Sequence, residues 1–139
     1  MRKLVSSDYS EIAHLDGSQT VKKLKELLNA KTDNEGLVIE LNKSILGYVI
    51  YEPSKSFIVS HLFVDPIYRR LGYGKKLISN VIDIMLMEGS KSLFMTIDEY
   101  NVDAQLFLKA LGFVGTINKT NRALIDFKFT IPAEEMALL

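Results

Sequence analysis

Arg69, Arg70, Lys75 and Lys76 bracket two glycines in the stretch Arg69-Arg70-Leu71-Gly72-Tyr73-Gly74-Lys75-Lys76. This combination of residue types suits the holding of phosphate. A glycine has no side chain, so the backbone can turn sharply there and a ligand can approach its amides. Where such a turn opens a helix, the unpaired N–H groups of the first turn and the helix dipole favour an anion. Four cations around that turn, in a chain with no net charge, suit a pyrophosphate or a 3′-phosphate. The alternative is an ordinary turn with a solvated rim.

The better-known phosphate motifs do not fit. A P-loop needs glycine where Arg69 stands and serine or threonine where Lys76 stands, and the dinucleotide fingerprint needs a third small residue at Leu77. Other chemistry has little material. The chain has no cysteine and only two histidines, His14 and His61, which excludes disulfides, thiolate zinc sites and a cysteine nucleophile, and leaves little for a metal centre or a triad. Lysine and arginine number 17, as do aspartate and glutamate, so no global field draws the protein to nucleic acid.

The chain length of 139 residues, 47% of them hydrophobic, fits one domain spanning 1–139. Met1-Arg2-Lys3-Leu4-Val5-Ser6 turns polar too soon for a secretory signal. The most apolar region, 77–87, is interrupted by Ser79, Asn80 and Asp83 and falls short of the roughly 20 residues of a membrane span. The expectation is a soluble cytoplasmic protein with no membrane partner.

The elements that must position the glycine turn can be read from periodicity. A short strand at 2–5 precedes a helix at 9–15, with Ser6-Ser7-Asp8 able to cap it. Val21, Leu24, Leu27 and Leu28 recur at helical spacing in a second helix that ends near Ala30. Apolar, β-branched runs at 37–41 and 45–51, joined by Asn42-Lys43-Ser44, predict a hairpin. A further strand at 57–64, apolar except for Ser60 and His61, stops at Asp65-Pro66 and belongs in the middle of a sheet. Leu77, Ile78, Val81, Ile82 and Met85 form the inner face of a helix at 75–88, and 92–97 is the next strand, so a parallel βαβ unit is the economical arrangement. Asn101 or Asp103 can cap a helix carrying Ala104, Phe107, Leu108 and Leu111, and 113–117 with 123–129 make a last hairpin.

At this point the sequence resembles the GNAT superfamily of N-acyltransferases, whose signature is Arg/Gln-x-x-Gly-x-Gly/Ala between a strand and a helix. Arg69-Arg70-Leu71-Gly72-Tyr73-Gly74 matches every fixed position. The resemblance extends to Val64-Asp65-Pro66 upstream, and to Asn101-x-x-Ala104 followed by Leu111-Gly112-Phe113. It implies an α/β (α+β) fold: a mixed, mostly antiparallel sheet of about six to seven strands with about four helices, its central parallel pair splayed to form an acyl-CoA cleft.

The resemblance further implies acetyl-coenzyme A as cofactor and an amine-bearing acceptor as partner, with a homodimer allowed by analogy alone. Leu62, Phe63 and Val64 would hold the pantetheine arm and the acyl carbonyl. Arg69, Arg70, Leu71, Gly72, Tyr73, Gly74 and Lys75 would hold the pyrophosphate, and Asn101 and Phe107 would border the cofactor on the far side. Two departures stand out. Leu108 occupies the place of the family's usual thiolate-protonating tyrosine, and Thr96 that of a frequent glutamate. Substitutes are His61 and Tyr100, with Asp98 and Glu99 beside the latter, although a histidine in an apolar strand is more often a hydrogen-bonded core residue. The reaction expected is acetyl transfer by direct attack in a ternary complex. The alternatives are a non-catalytic acyl-CoA-binding module and a loop for some other phosphorylated ligand.

Overall fold

The computed structural model describes residues 1–29 and 31–132. Among these, seven strands form one sheet and four helices cover it. The strands are β1 (Arg2–Lys3), β2 (Glu35–Leu41), β3 (Ser44–Glu52), β4 (Phe57–Val64), β5 (Ser92–Asp98), β6 (Val114–Ile117) and β7 (Leu124–Thr130). The helices are α1 (Tyr9–Asp16), α2 (Ser18–Leu27), α3 (Tyr73–Met87) and α4 (Val102–Ala110). The sheet order is β1-β2-β3-β4-β5-β7-β6, antiparallel throughout except for β4 and β5. This is the mixed sheet with a central parallel pair that the family resemblance implies. The expected end of the second helix near Ala30 lies outside the described residues, and α2 itself closes at Leu27.

The two faces of the sheet carry separate cores. Leu77, Val81 and Met85 of α3, all fully buried, pack with Phe57, Leu93 and Phe127 on one face. Ile82, expected on the same inner face, is only partly buried. Ile12 of α1 and Leu24 of α2 pack on the other face against Val38, Tyr48 and Ile50. β3 serves both, because successive side chains of a strand point to opposite faces: Val49 and Tyr51 belong to the first core, Tyr48 and Ile50 to the second. The β2–β3 hairpin turns on Asn42 and Lys43, at φ 51° and 67°, the left-handed pair whose twist matches the strands. No helix of the described residues is long and apolar enough to cross a membrane.

β4 is irregular at one point. Ile50 of β3 pairs with His61 and Tyr51 with Val59, so Ser60 is an extra residue on β4. The insertion reverses the alternation: Phe57 and Val59 face the α3 core, and so do Leu62 and Val64, while Phe63 faces the α1–α2 core. β4 pairs with β5 only at Phe57↔Leu93 and Ile58↔Phe94, before the bulge. Beyond it the two parallel strands are no longer paired.

At the start of the chain, Arg2 grips Asp8 through two hydrogen bonds of 2.8 and 3.0 Å, and Asp8 also accepts the Val5 N–H at 2.8 Å. The Arg2 hydrogen bonds hold the Asp8 carboxyl below the usual carboxylate range, against the opposing effect of burial. A depressed native pKa adds stability that is present above the unfolded value and lost as pH falls through the native one. Asp8→Asn is therefore expected to cost about 1–2 kcal/mol near neutrality, since its partner is partly in solvent. Below about pH 4 the mutant and wild-type melting temperatures converge, which thermal melts between pH 7 and pH 2 would measure.

Candidate functional site

The loop from β4 to α3 is built by local chemistry. Asp65 accepts the Ile67 N–H at 3.1 Å and starts a 3₁₀ turn at Pro66–Tyr68. Arg70 then takes a left-handed conformation at φ 66°, which costs a residue with a side chain roughly 1–2 kcal/mol, and Gly72 follows at φ 88°. Gly72 is the N-cap of α3, which begins at Tyr73, two residues earlier than the sequence predicts, because Gly74 is accommodated in its first turn. No side chain caps this end, and the first turn contains no acidic residue. The first helical bond runs from Lys76 N–H to the Gly72 carbonyl at 3.0 Å, which leaves the amides of Tyr73, Gly74 and Lys75 ahead of it. By contrast, the Asn101 side chain caps α4 by accepting the Ala104 N–H at 3.2 Å. Of the two capping residues expected there, it is Asn101 that acts.

The gap between β4 and β5 opens beside this helix end. The Asp65 N–H bonds to Leu46 in β3 at 2.8 Å. Backbone groups of a strand alternate in direction, so those of Val64 and Leu62 face away from β3, into the gap. There the Val64 carbonyl accepts Arg69 Nε at 2.8 Å, and the same guanidinium lies 5.5 Å from the centre of the Phe63 ring. Gly74 completes the corner. A Cβ on it would lie 3.2 Å from Phe107 of α4 and 3.7 Å from Val64. At Gly72 a Cβ would meet nothing within 4 Å, so that position is open to a ligand. The residues therefore fit a phosphate-bearing group whose arm runs into the gap: bare amides, exposed Arg69, Arg70 and Lys75, and the unpaired strand edge at Leu62 and Val64, with Phe107 beside Gly74.

The remaining predicted residues are scattered by the fold. Leu71 is exposed, and Tyr73 packs edge-on against Tyr68 with ring centres 6.3 Å apart. Tyr100 is 84% exposed in the turn after β5, where its N–H donates to Asp98 Oδ1 at 2.8 Å, so Asp98 shapes the turn. Leu108 is 1% exposed and belongs to the α3-side core, with no hydroxyl in the gap from that position. Thr96 donates to Asp126 Oδ1 at 2.9 Å. His61 lies on the α1–α2 face, where its Nε2 is 3.1 Å from Asp16 Oδ2. The Tyr48 hydroxyl donates to that same oxygen at 2.6 Å, and the Tyr48 ring stacks on His61 with centres 5.3 Å apart. Burial, with the Asp16 hydrogen bond, pushes the Tyr48 phenol well up. Sequence reasoning missed Asp16 and Tyr48 as partners. They are 45 and 13 residues from His61 in the chain, and the one local signal was two polar residues, Ser60 and His61, interrupting an apolar strand. No group of three or more histidine, aspartate or glutamate side chains among the described residues could hold a metal.

The chain is similar to known acetyltransferases. The family model described as the acetyltransferase (GNAT) family matches residues 1–113. The acetyltransferase of Thermus thermophilus superposes with a TM-score of 0.79 at 15% identity, over 94% of this chain and 95% of its own. The PaiA N-acetyltransferase of Thermoplasma acidophilum, solved in complex with coenzyme A, gives 0.77 at 13% identity, over 94% and 97%. The ribosomal-protein-S18-alanine N-acetyltransferase of Escherichia coli gives 0.75 at 19% identity, over 93% and 91%. Among curated proteins, none is significantly similar to this chain in sequence.

The close contact at Gly74 can be tested by size. Gly74→Ala places a Cβ at 3.2 Å from the tip of Phe107, which a small ring shift relieves, so a loss below about 1 kcal/mol is expected. Gly74→Val adds two methyls in the same corner and is expected to cost about 1–3 kcal/mol by overpacking. Chemical denaturation of both variants measures the difference.

Proposed function

Since this chain belongs to the GNAT family of acetyltransferases, we propose that it transfers an acetyl group from acetyl-coenzyme A to a primary amine on a small molecule, peptide or protein. One observation carries the reading: the uncapped N-terminus of α3 opens beside the unpaired stretch of β4. In this reading the amides around Gly72 and Gly74, with Arg69, Arg70 and Lys75, hold the pyrophosphate. The backbones of Leu62 and Val64 line the pantetheine arm and the acetyl carbonyl, whereas Phe63, expected with them, turns its backbone to β3 and its ring to the α1–α2 face; Asn101 and Phe107 border the far side.

The chemistry follows from that placement. The amine nitrogen forms a bond to the thioester carbon, and strand N–H groups stabilise the oxyanion as it develops. The carbon–sulfur bond then breaks, the sulfur leaves with the electron pair, and the ammonium proton passes to a base. Leu108 offers no acid for the leaving group. A thiol titrating near about 8.5 leaves as thiolate with little help, so that loss is tolerable. Positioning reaches effective molarities of about 10⁵–10⁸ M, whereas acid–base assistance is worth about 10²–10⁴-fold. Of the two side chains expected to handle protons, His61 is half-buried beside a carboxylate and Tyr100 stands in solvent.

Leu108 favours a second reading, in which the chain binds acyl-coenzyme A without turning it over. Coenzyme A release with putrescine, spermidine, lysine, tyramine and a peptide with a free N-terminal alanine separates the two. Acceptor-dependent release is expected. Thermal stabilisation by coenzyme A with no release across the panel would select the binding module.

Binding itself is tested at Gly72. Coenzyme A at about 100 times its Kd stabilises a binding protein by roughly 2.7 kcal/mol. Gly72→Asp puts a carboxylate among the bare amides and is expected to abolish that stabilisation, while Gly72→Asn, of the same size and equally tolerant of a positive φ, retains part of it. Full stabilisation of the Asp variant would move the phosphate site elsewhere.

A further inference from the structure

We propose that His61 is the base that takes the proton from the acceptor amine and that Asp16 is its positioning residue, so that the acceptor enters from the face covered by α1 and α2. The inference rests on the acetyltransferase reading above and assigns its acceptor side. His61 sits one residue, roughly 3.3 Å along the strand, from the Leu62 amide that faces the gap. Its side chain lies on the sheet face opposite α3 and α4, against Tyr48 and Asp16. A thioester held in the gap from the α3 side therefore presents its carbonyl next to His61 from below. The amine must come from above.

Asp16 is built to fix this ring. It is the last residue of α1, and Gly17, at φ 97°, turns the chain directly into α2. Its Oδ2 takes both the Tyr48 hydroxyl and His61 Nε2. With the carboxylate on Nε2, the proton of a neutral ring resides there and the other ring nitrogen keeps its lone pair, which is the tautomer a general base requires. The ring is 24% exposed on its side chain, so a substrate proton can reach it. A structural clasp between α1 and the sheet needs no histidine, since the 2.6 Å bond from fully buried Tyr48 to Asp16 already supplies one. Further charges belong to that face. Glu11 of α1 accepts the Ile45 N–H at 3.1 Å, and by strand alternation Asp98 of β5 and Asp126 and Lys128 of β7 lie across the gap. None of these four is hydrogen-bonded to His61.

His61→Gln is the decisive variant, because a glutamine amide can still donate to Asp16 but cannot take a proton. With the amine panel above, its kcat at pH 7 is expected to fall about 10²-fold or more, with KM for acetyl-coenzyme A unchanged. Asp16→Asn, which keeps a hydrogen-bond acceptor for Tyr48, is expected to lose about 10-fold in kcat with its coenzyme A-induced thermal shift intact. Asp16→Asn also decides the matter if His61→Gln fails to fold. Wild-type kcat in either folded variant overturns the assignment and leaves the acetyltransferase reading standing. A wild-type protein inert toward every amine overturns both.

Discussion

One extra residue in β4 governs the arrangement of this molecule. Without the bulge, with Ser60 paired in a regular ladder, the alternation set by Phe57 and Val59 would have carried His61 to the α3 face and sent Leu62 and Val64 to the other. With it, the strand bends away from β5 after two paired residues, and its backbone turns from a rung of the sheet into the wall of a gap. The same insertion puts His61 beside Asp16 while keeping its neighbours next to α3 and α4. Access from two opposite faces, which the proposed transfer between two substrates demands, thus comes from one irregularity in the β3–β4 ladder.

The glycine loop needed no tertiary information to be recognised. Its residues are contiguous, and the physics that makes Gly72 a left-handed cap is local, so the motif and the uncapped helix start coincide at Gly72 and Gly74. Element order and the parallel crossover through α3 were equally legible, because hydrophobic period and the inner face of Leu77, Val81 and Met85 are local as well. What could not be read was pairing across distance. Nothing near Asp16 distinguishes it from a loop residue, and only the folded sheet brings it to His61 and Tyr48. The two-residue error at the start of α3 has another origin: Gly74 reads as a helix breaker, yet it sits in the first turn, where Phe107 leaves little room for a side chain.

Leu108 shows how packing and chemistry compete for one position. It faces the α3-side core and is almost wholly buried, so its methyls contribute on the order of 2 kcal/mol where a tyrosine would have to find a partner for its hydroxyl. Leucine at this position supplies packing and offers no acid. In the proposed acetyl transfer, the demands then fall on the amine, whose proton must be removed, rather than on the sulfur, which can depart as an anion. The polar groups of the two faces are distributed accordingly: bare amides and cations near α3, carboxylates and a histidine near α1.

The sheet is stitched across its centre by two residue pairs at one end only, Phe57↔Leu93 and Ile58↔Phe94. Mechanically this makes two plates joined at a short hinge, β1 to β4 on one side and β5 to β6 on the other, with α3 as the brace between them. An extended molecule lying between the plates would supply the rungs that the strands do not exchange, much as an added strand completes an open edge. Occupancy would then tie the plates together and slow hydrogen exchange in both halves at once, including amides that no ligand touches.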